Sequence, residues 1–283
     1  MVFRAASVLL FFSITFLGAV RSEAASPVWK VTDTKGHTLF LGGSIHALRK
    51  SDYPLPKAFD LAFAQSQHLV FEDEETKGEA AKIGKGGEYP AGDSLRNHVD
   101  PRTYAYVVKI FGLMGVPEAK VARYRPWMLT LFLWSPGLQG LSGDLGIDAH
   151  FLAKARAAHK PISGLVSARE HYAVFTGLTD KQSEGVLLLT FIPNRSGSYP
   201  NMVNAWRRGD ADVLWREIHA SYADYPGFGE RLIEARNRVW IPKIESYLAS
   251  GQTYFVIVGM GHLGGPEGLV RLLQARGYQV EQL

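Results

Sequence analysis

The stretch from Tyr254 to Gln282 limits the fold most tightly. Five apolar or aromatic residues, Tyr254–Val258, run into a Gly-rich turn; a helical pattern opens after Gly264-Gly265-Pro266, and Arg276-Gly277 leads to a short strand pattern at Tyr278–Gln282. Strand, turn, helix and strand make a βαβ unit, whose two strands are expected to run parallel with a right-handed crossover. Further strands read at His37–Ile45, His68–Glu72 and Pro161–Val166, each rich in Val, Ile, Leu or Phe and bounded by Gly, Pro or polar residues. Helical patterns are more numerous: Pro56–Gln67, Pro101–Gly112, Trp127–Leu133, Ile147–His159, Asp180–Leu189, Pro200–Arg208, Ala211–Tyr222, Phe228–Leu248 and Glu267–Ala275. Lys77–Asp93, Pro136–Gly146 and Asn194–Pro200 read as loops. The expectation is an α/β or α+β fold, a mixed and partly parallel sheet among many helices, in one domain over 25–283.

The first 24 residues stand apart. Met1–Arg4 is a short basic start, Ala5–Val20 an apolar run, and Ser22-Glu23-Ala24 has small residues where a signal peptidase cuts. This predicts a cleaved export signal and a periplasmic or secreted protein that does not span the membrane. An uncleaved anchor or a buried helix is the alternative. The chain has no cysteine, which excludes disulfides, thiol nucleophiles and Cys-held metals, so a metal must sit on His and carboxylates. A net charge of +4, of which +1 lies in the first 24 residues, is too small to imply a nucleic-acid partner. Gly84-Lys85-Gly86-Gly87 lacks the spacing and the Ser/Thr of a phosphate loop.

Two apolar strands end in the same step. Gly43-Ser44-Ile45-His46 and Gly259-Met260-Gly261-His262 are both Gly-x-x-His. Ligands bind beyond the carboxyl ends of parallel strands, where a turn glycine lets backbone and imidazole approach a common centre. His46 and His262 are therefore candidates for one pocket. The second strand pattern in chain order ends in Glu72-Asp73-Glu74-Glu75, and alternation places Glu72 and Glu74 on one face. Two imidazoles and a carboxylate suffice to hold a catalytic divalent ion with a position left for water. The plainer reading stands beside it: a His that closes a turn, and an acidic run that is solvated. A third reading takes Ser44 as the nucleophile of an elbow, although His46 replaces the last Gly of G-x-S-x-G.

Longer stretches resemble the TraB/GumN family over nearly the whole mature chain. They are VWKVTDTKGHTLFLGGSIHAL (28–48), YPLP (53–56), LVFEDE (69–74), RPW (125–127), GIDAHFLAKARAAHKPISGL (146–165), WRRGD (206–210) and, most specific, ARNRVWIPKIESYLASGQTYFVIVGMGHLGGPEGLVRLLQARGYQV (235–280). That family's relatives include the Tiki proteins, described as metal-dependent proteases, and more distantly the erythromycin-esterase-like and ChaN-like proteins. The resemblance implies that the family histidines are His46 and His262, the family glutamate Glu72, and the Arg-Asn pair of the late helix Arg236 and Asn237. It implies a divalent metal such as Zn, Mn or Co on His46, Glu72 and His262, with Glu72, Arg236 and His262 catalytic. Arg236 would stabilise an oxyanion or, alternatively, make a structural salt bridge. Ser44, Glu74 and Asn237 are the neighbours expected to meet substrate.

One segment departs from the family. Many relatives read G-L-E-T with a Gln five residues after the Glu, where this chain reads Gly164-Leu165-Val166-Ser167 and then His171. A Val neither binds metal nor accepts a proton. Either that Glu is not essential, or this member is weakened, or Glu170 and His171 substitute. Two functions are thus expected: a metal-dependent, peptidase-like hydrolase of carbonyl substrates, or an accessory binding protein linked to envelope polysaccharide.

Overall fold

A computed structural model of the chain describes residues 25–74, 77–134, 140–192 and 199–283, without the side chains of 77–81. The expected signal at 1–24, and the 136–139 and 194–198 parts of two expected loops, lie outside the described residues. Six strands form one sheet: β1 (Val28–Thr32), β2 (Thr38–Ser44), β3 (His68–Glu74), β4 (Ile162–Ser167), β5 (Tyr254–Gly259) and β6 (Gln279–Gln282), in the order β4-β3-β5-β2-β1-β6. The four strands β4, β3, β5 and β2 are parallel, and β1 runs antiparallel to both β2 and β6. The fold is α/β with a mixed sheet and many helices.

β5 and β6 point the same way, as the βαβ pattern requires, but β2 and β1 lie between them. β1 is an addition to the sequence reading. Its five residues pair with β2 across a turn in which the Asp33 carboxylate accepts from the Lys35 and His37 amides at 2.8 Å each, and Gly36 takes a φ of 85°.

Val256, Ile257 and Val258 are successive and all fully buried, so both faces of β5 are covered, as parallel sheets require. Phe59, on the Lys57–Gln65 helix, stacks on Phe151, on the Ile147–Ala157 helix, at 5.5 Å, and both rings meet Phe255. The Glu234–Ala249 helix buries Asn237, Trp240, Ile241, Ile244 and Leu248, a spacing of three and four that marks one helical face. Two smaller apolar clusters join helices outside this core, one around Val107, Leu129 and Leu187, the other around Trp127, Phe175 and Phe228.

Two readings need correction. Lys77–Asp93 is not a loop throughout, because Lys77–Gly86 is helical; Ile83 joins the Trp127 cluster, and one large apolar residue is too few to show a helical period. Phe228–Leu248 is two helices, Pro226–Leu232 and Glu234–Ala249, because Ile233 turns to φ −117° and ψ −72°. The Ala168–Thr176 helix starts at a capping box, with Ser167 bonding the Glu170 amide and Glu170 bonding back. Among the described residues no helix is long and apolar enough to cross a membrane.

Candidate functional site

The carboxyl ends of the parallel strands come together. In register, Ser44 lies beside Gly259 and Glu74 beside Ser167, so the residues after β2, at the end of β3 and after β5 border one crevice. His46, Glu72 and His262 all line one cavity of about 510 Å³, with Arg236, Ser44 and His171. A second cavity, of about 600 Å³, is lined by Glu74, Asp73, Asp148 and Arg156. His46, Glu72, His171 and Tyr172 belong to the wall of both. The described geometry thus centres on these shared groups.

His46 is held from one side. The Ile45 carbonyl accepts from the Ile147 amide at 3.1 Å, and Gly146 lies so close that a Cβ there would stand 2.1 Å from the His46 carbonyl oxygen. That approach brings the start of the Ile147–Ala157 helix to the imidazole, where Asp148 Oδ2 meets His46 Nδ1 at 2.9 Å. The Asp148 charge, and then its hydrogen bond and the charge of Glu72, push His46 up to about 9; partial enclosure and Arg236 pull the other way. The ring is 71% accessible, so a proton-loaded Nε2–H faces the crevice at neutral pH.

His262 is the opposite case. It is 3% exposed and packs on the Trp240 ring at 4.5 Å. Asn237 fixes its tautomer. The amide nitrogen of Asn237 donates to the His262 carbonyl at 3.0 Å and the Glu267 carbonyl at 2.8 Å, so its oxygen must accept from His262 Nδ1–H, at 2.7 Å. The Nε2 lone pair is then left facing Arg236 Nη1 at 3.3 Å. Burial, opposed by Glu72 and aided by Arg236, lowers His262 to about 3, so this ring is neutral.

Glu72 and Arg236 are the hub. Arg236 Nη2 donates to Glu72 Oε2 at 2.5 Å and to His171 Nδ1 at 2.8 Å, and the Gly259 amide donates to Glu72 Oε1 at 2.7 Å. The guanidinium lies over the Trp240 ring at 4.6 Å, one helical turn along. Burial alone would raise the Glu72 carboxyl; the Arg236 guanidinium, with the His46 charge behind it, outweighs burial and holds it well below the usual carboxylate range. His171 is lowered to about 4 by burial and by Arg236. The cluster therefore holds an anion, a guanidinium, an open imidazolium and two neutral imidazoles. A Cβ on Gly259 would stand 3.2 Å from Glu72 Oε1, 3.7 Å from His262 Cδ2 and 3.8 Å from His46 Nε2, so the two arms and the glutamate do approach a common point, and the glycine keeps it open.

The other expected residues fall out unevenly. Glu74 is exposed and lines the second cavity. Asn237 is fully buried and spends its side chain on His262 and Glu267, which corrects its expected contact with substrate: it positions His262 instead. Ser44 is 3% exposed and its Oγ bonds to nothing, so no base stands by it to make it a nucleophile. Val166 lies opposite Asp73 in the β3–β4 register, hence on the face away from Glu72, and packs against the core; Glu170 is spent as a helix cap, whereas His171 reaches the cluster. Asp148, Tyr172 and Trp240 were not singled out by sequence. Only the S-x-x-E capping box at Ser167–Glu170, which starts the helix bearing His171 and Tyr172, was there to find.

The resemblance implies a metal on His46, Glu72 and His262. His46 and His262 each have a second partner, Asp148 and Asn237, as metal-bound histidines do. Yet Arg236 already donates to Glu72 Oε2 and His262 Nε2. Among the described residues no group of three or more His, Asp or Glu is placed to hold an ion. In this arrangement the donors fit the guanidinium rather than a metal, and no step below passes through one.

Residues 27–282 match the sequence model of the TraB/PrgY/gumN family, and the chain belongs to it. Similar relatives are the uncharacterized protein YbaP of Escherichia coli (strain K12), 24% identical over 88% of this chain and 92% of the relative, and that of Shigella flexneri, 24% identical over 82% and 86%.

Proposed function

We propose that this member of the TraB/PrgY/gumN family is an exported hydrolase, periplasmic or secreted, that adds water across a carbonyl–heteroatom bond, that of a peptide. The observation that carries the reading is the convergence, at the carboxyl ends of parallel strands, of an open imidazolium with an ionised carboxylate and a guanidinium. His46, charged and aimed into the crevice, is the proton donor to the leaving group. Glu72 accepts the proton of the attacking water; its oxygens take one donor each from Arg236 and Gly259 and keep lone pairs free. Arg236 supplies positive charge beside the carbonyl oxygen as it becomes anionic, in a site where few water molecules compete. Asp148 and Asn237 hold the two histidines in their protonation states.

The test is turnover of casein, fluorogenic peptides and simple esters by the purified protein. Loss of about 10²-fold or more in His46→Ala and in Glu72→Gln, with folding retained, supports the reading. A rate that falls as pH rises through about 9 supports His46 as the acid. No turnover on any carbonyl substrate, with or without added divalent ion, overturns it in favour of an accessory binding protein.

A second reading is favoured by the second partners of the two histidines: a metal-dependent hydrolase, for which His46, Glu72 and His262 would hold a divalent ion in place of their contacts with Arg236, and the ion would supply Lewis acidity. Elemental analysis decides it. One equivalent of Zn, Mn or Co that is lost in both His46→Ala and His262→Ala supports it; metal retained in both variants, or absent after loading, contradicts it.

A further inference from the structure

We infer that the substrate carries a large apolar side chain on the carbonyl side of the bond that is cut and continues past that bond as a more polar chain. This rests on the hydrolase reading above. The two cavities have different characters and share the wall of His46, Glu72, His171 and Tyr172. The first is closed by aromatic and aliphatic side chains: Trp134, Phe175, Tyr222, Leu131 and Ile218 among them. Trp134 and Phe175 meet edge to face at 5.5 Å, and Trp134 and Tyr222 lie 6.3 Å apart, giving a flat-walled apolar end. Trp134 is 39% exposed, a cost in water that an apolar occupant would remove. Arg236 and His262 line the same cavity and do not line the second.

This asymmetry fixes the orientation. The developing oxyanion belongs beside Arg236, so the carbonyl and the side chain next to it sit on the apolar side. The departing nitrogen belongs beside His46, whose wall opens into the cavity lined by Asp73, Glu74, Asp148 and Arg156. In the reaction the hydroxyl of water bonds to the carbonyl carbon, the carbon–nitrogen bond breaks, and the nitrogen leaves with the His46 proton; the proton lost by water passes to Glu72 and returns to His46. No redox partner is needed. Because both cavities reach the shared wall, the chain extends in both directions from the bond, which suits cutting within a peptide rather than trimming its end.

The test uses internally quenched hexapeptides that differ only at the residue before the cut, with Phe, Leu, Ala or Gln there, and the whole protein. We expect kcat/KM for Phe and Leu to exceed that for Ala and Gln at least tenfold. Leu131→Trp and Ile218→Trp, which fill the apolar end from two different helices, should each abolish that preference while Ala substrates are still cut. In parallel, calorimetry measures N-acetylphenylalaninamide against N-acetylalaninamide on wild type and on His46→Ala. Tighter binding of the Phe probe to both supports the apolar site without reference to turnover. Turnover with no side-chain preference, or a preference that survives both filling variants, overturns the inference and leaves the hydrolase reading standing. Selective probe binding without turnover of any peptide overturns the hydrolase reading and keeps the apolar site. Unselective binding with no turnover overturns both.

Discussion

The two Gly-x-x-His arms, at 43–46 and 259–262, look alike in sequence and end in opposite states. His46 is open, bonded to a carboxylate and pushed up to about 9; His262 is sealed, bonded to a neutral amide and lowered to about 3. The tetrapeptide supplies the backbone turn. The second partner, Asp148 or Asn237, together with exposure, decides the proton. Two histidines at one crevice can therefore divide the work: one carries a proton to deliver, the other lends a fixed lone pair to Arg236.

The largest effect is expected from the group both arms share. Glu72→Gln leaves the mostly enclosed Arg236 guanidinium without its anion, and we expect a loss of about 2–4 kcal/mol in urea unfolding. A loss under about 1 kcal/mol would mean that Arg236 is balanced elsewhere and that Glu72 is not the hub.

The acid limb separates the arms next. A neutral His262 has a folded pKa below its unfolded one, so its contribution to stability is complete above pH 6.5 and declines as pH falls from there towards about 3, at about 1.4 kcal/mol per pH unit. His171, lowered to about 4, adds in the same direction. His46 works the other way: raised to about 9, it favours folding at and below pH 6.5 and loses that contribution between 6.5 and 9. Unfolding free energies measured from pH 4 to 9.5 should fall at both ends. Stability that is flat from pH 6.5 to 5 would break the contrast.

Asn237→Asp turns the second arm into a copy of the first. The new carboxylate raises His262, while the lost amide donor leaves two carbonyls unserved at about 1–3 kcal/mol. We expect the acid limb to shrink and urea stability at pH 7 to fall. An unchanged acid limb would show that burial, not the amide, keeps His262 neutral. The smallest effect on stability is expected from Gly259→Ala, under about 1 kcal/mol, because the contact at 3.2 Å is with the end of a side chain. Activity should fall at least tenfold in that variant, since the methyl enters the space where Glu72, His262 and His46 meet. Full activity would place the reacting atoms elsewhere.

Sequence alone brought out the strands that bear these arms, and for a physical reason. β2, β3 and β5 are apolar runs buried on both faces, and each stops at a glycine or a charge. β1 was missed because Lys30 breaks a five-residue strand whose burial comes from its place between β2 and β6. In the site, His46, Glu72, His262 and Arg236 were legible because they end strands or follow a named pair. Asp148 was not. It lies 102 residues from His46, and only the close approach of Gly146 to the His46 carbonyl brings it there. At Val166 sequence left the alternatives open because strand register, which sequence does not give, sets that side chain on the Asp73 face, and of the two substitutes His171 reaches the cluster.

Histidine-selective NMR titration of wild type and Asp148→Asn tests the division between the arms most directly. In wild type the His46 resonance should move near pH 9, while His262 stays neutral across the whole range in which the protein is folded. In Asp148→Asn the His46 midpoint should fall back towards 6.5 and His262 should not respond. Both rings titrating together near 6.5 in wild type would contradict the assignment of proton donor to His46 and of neutral partner to His262.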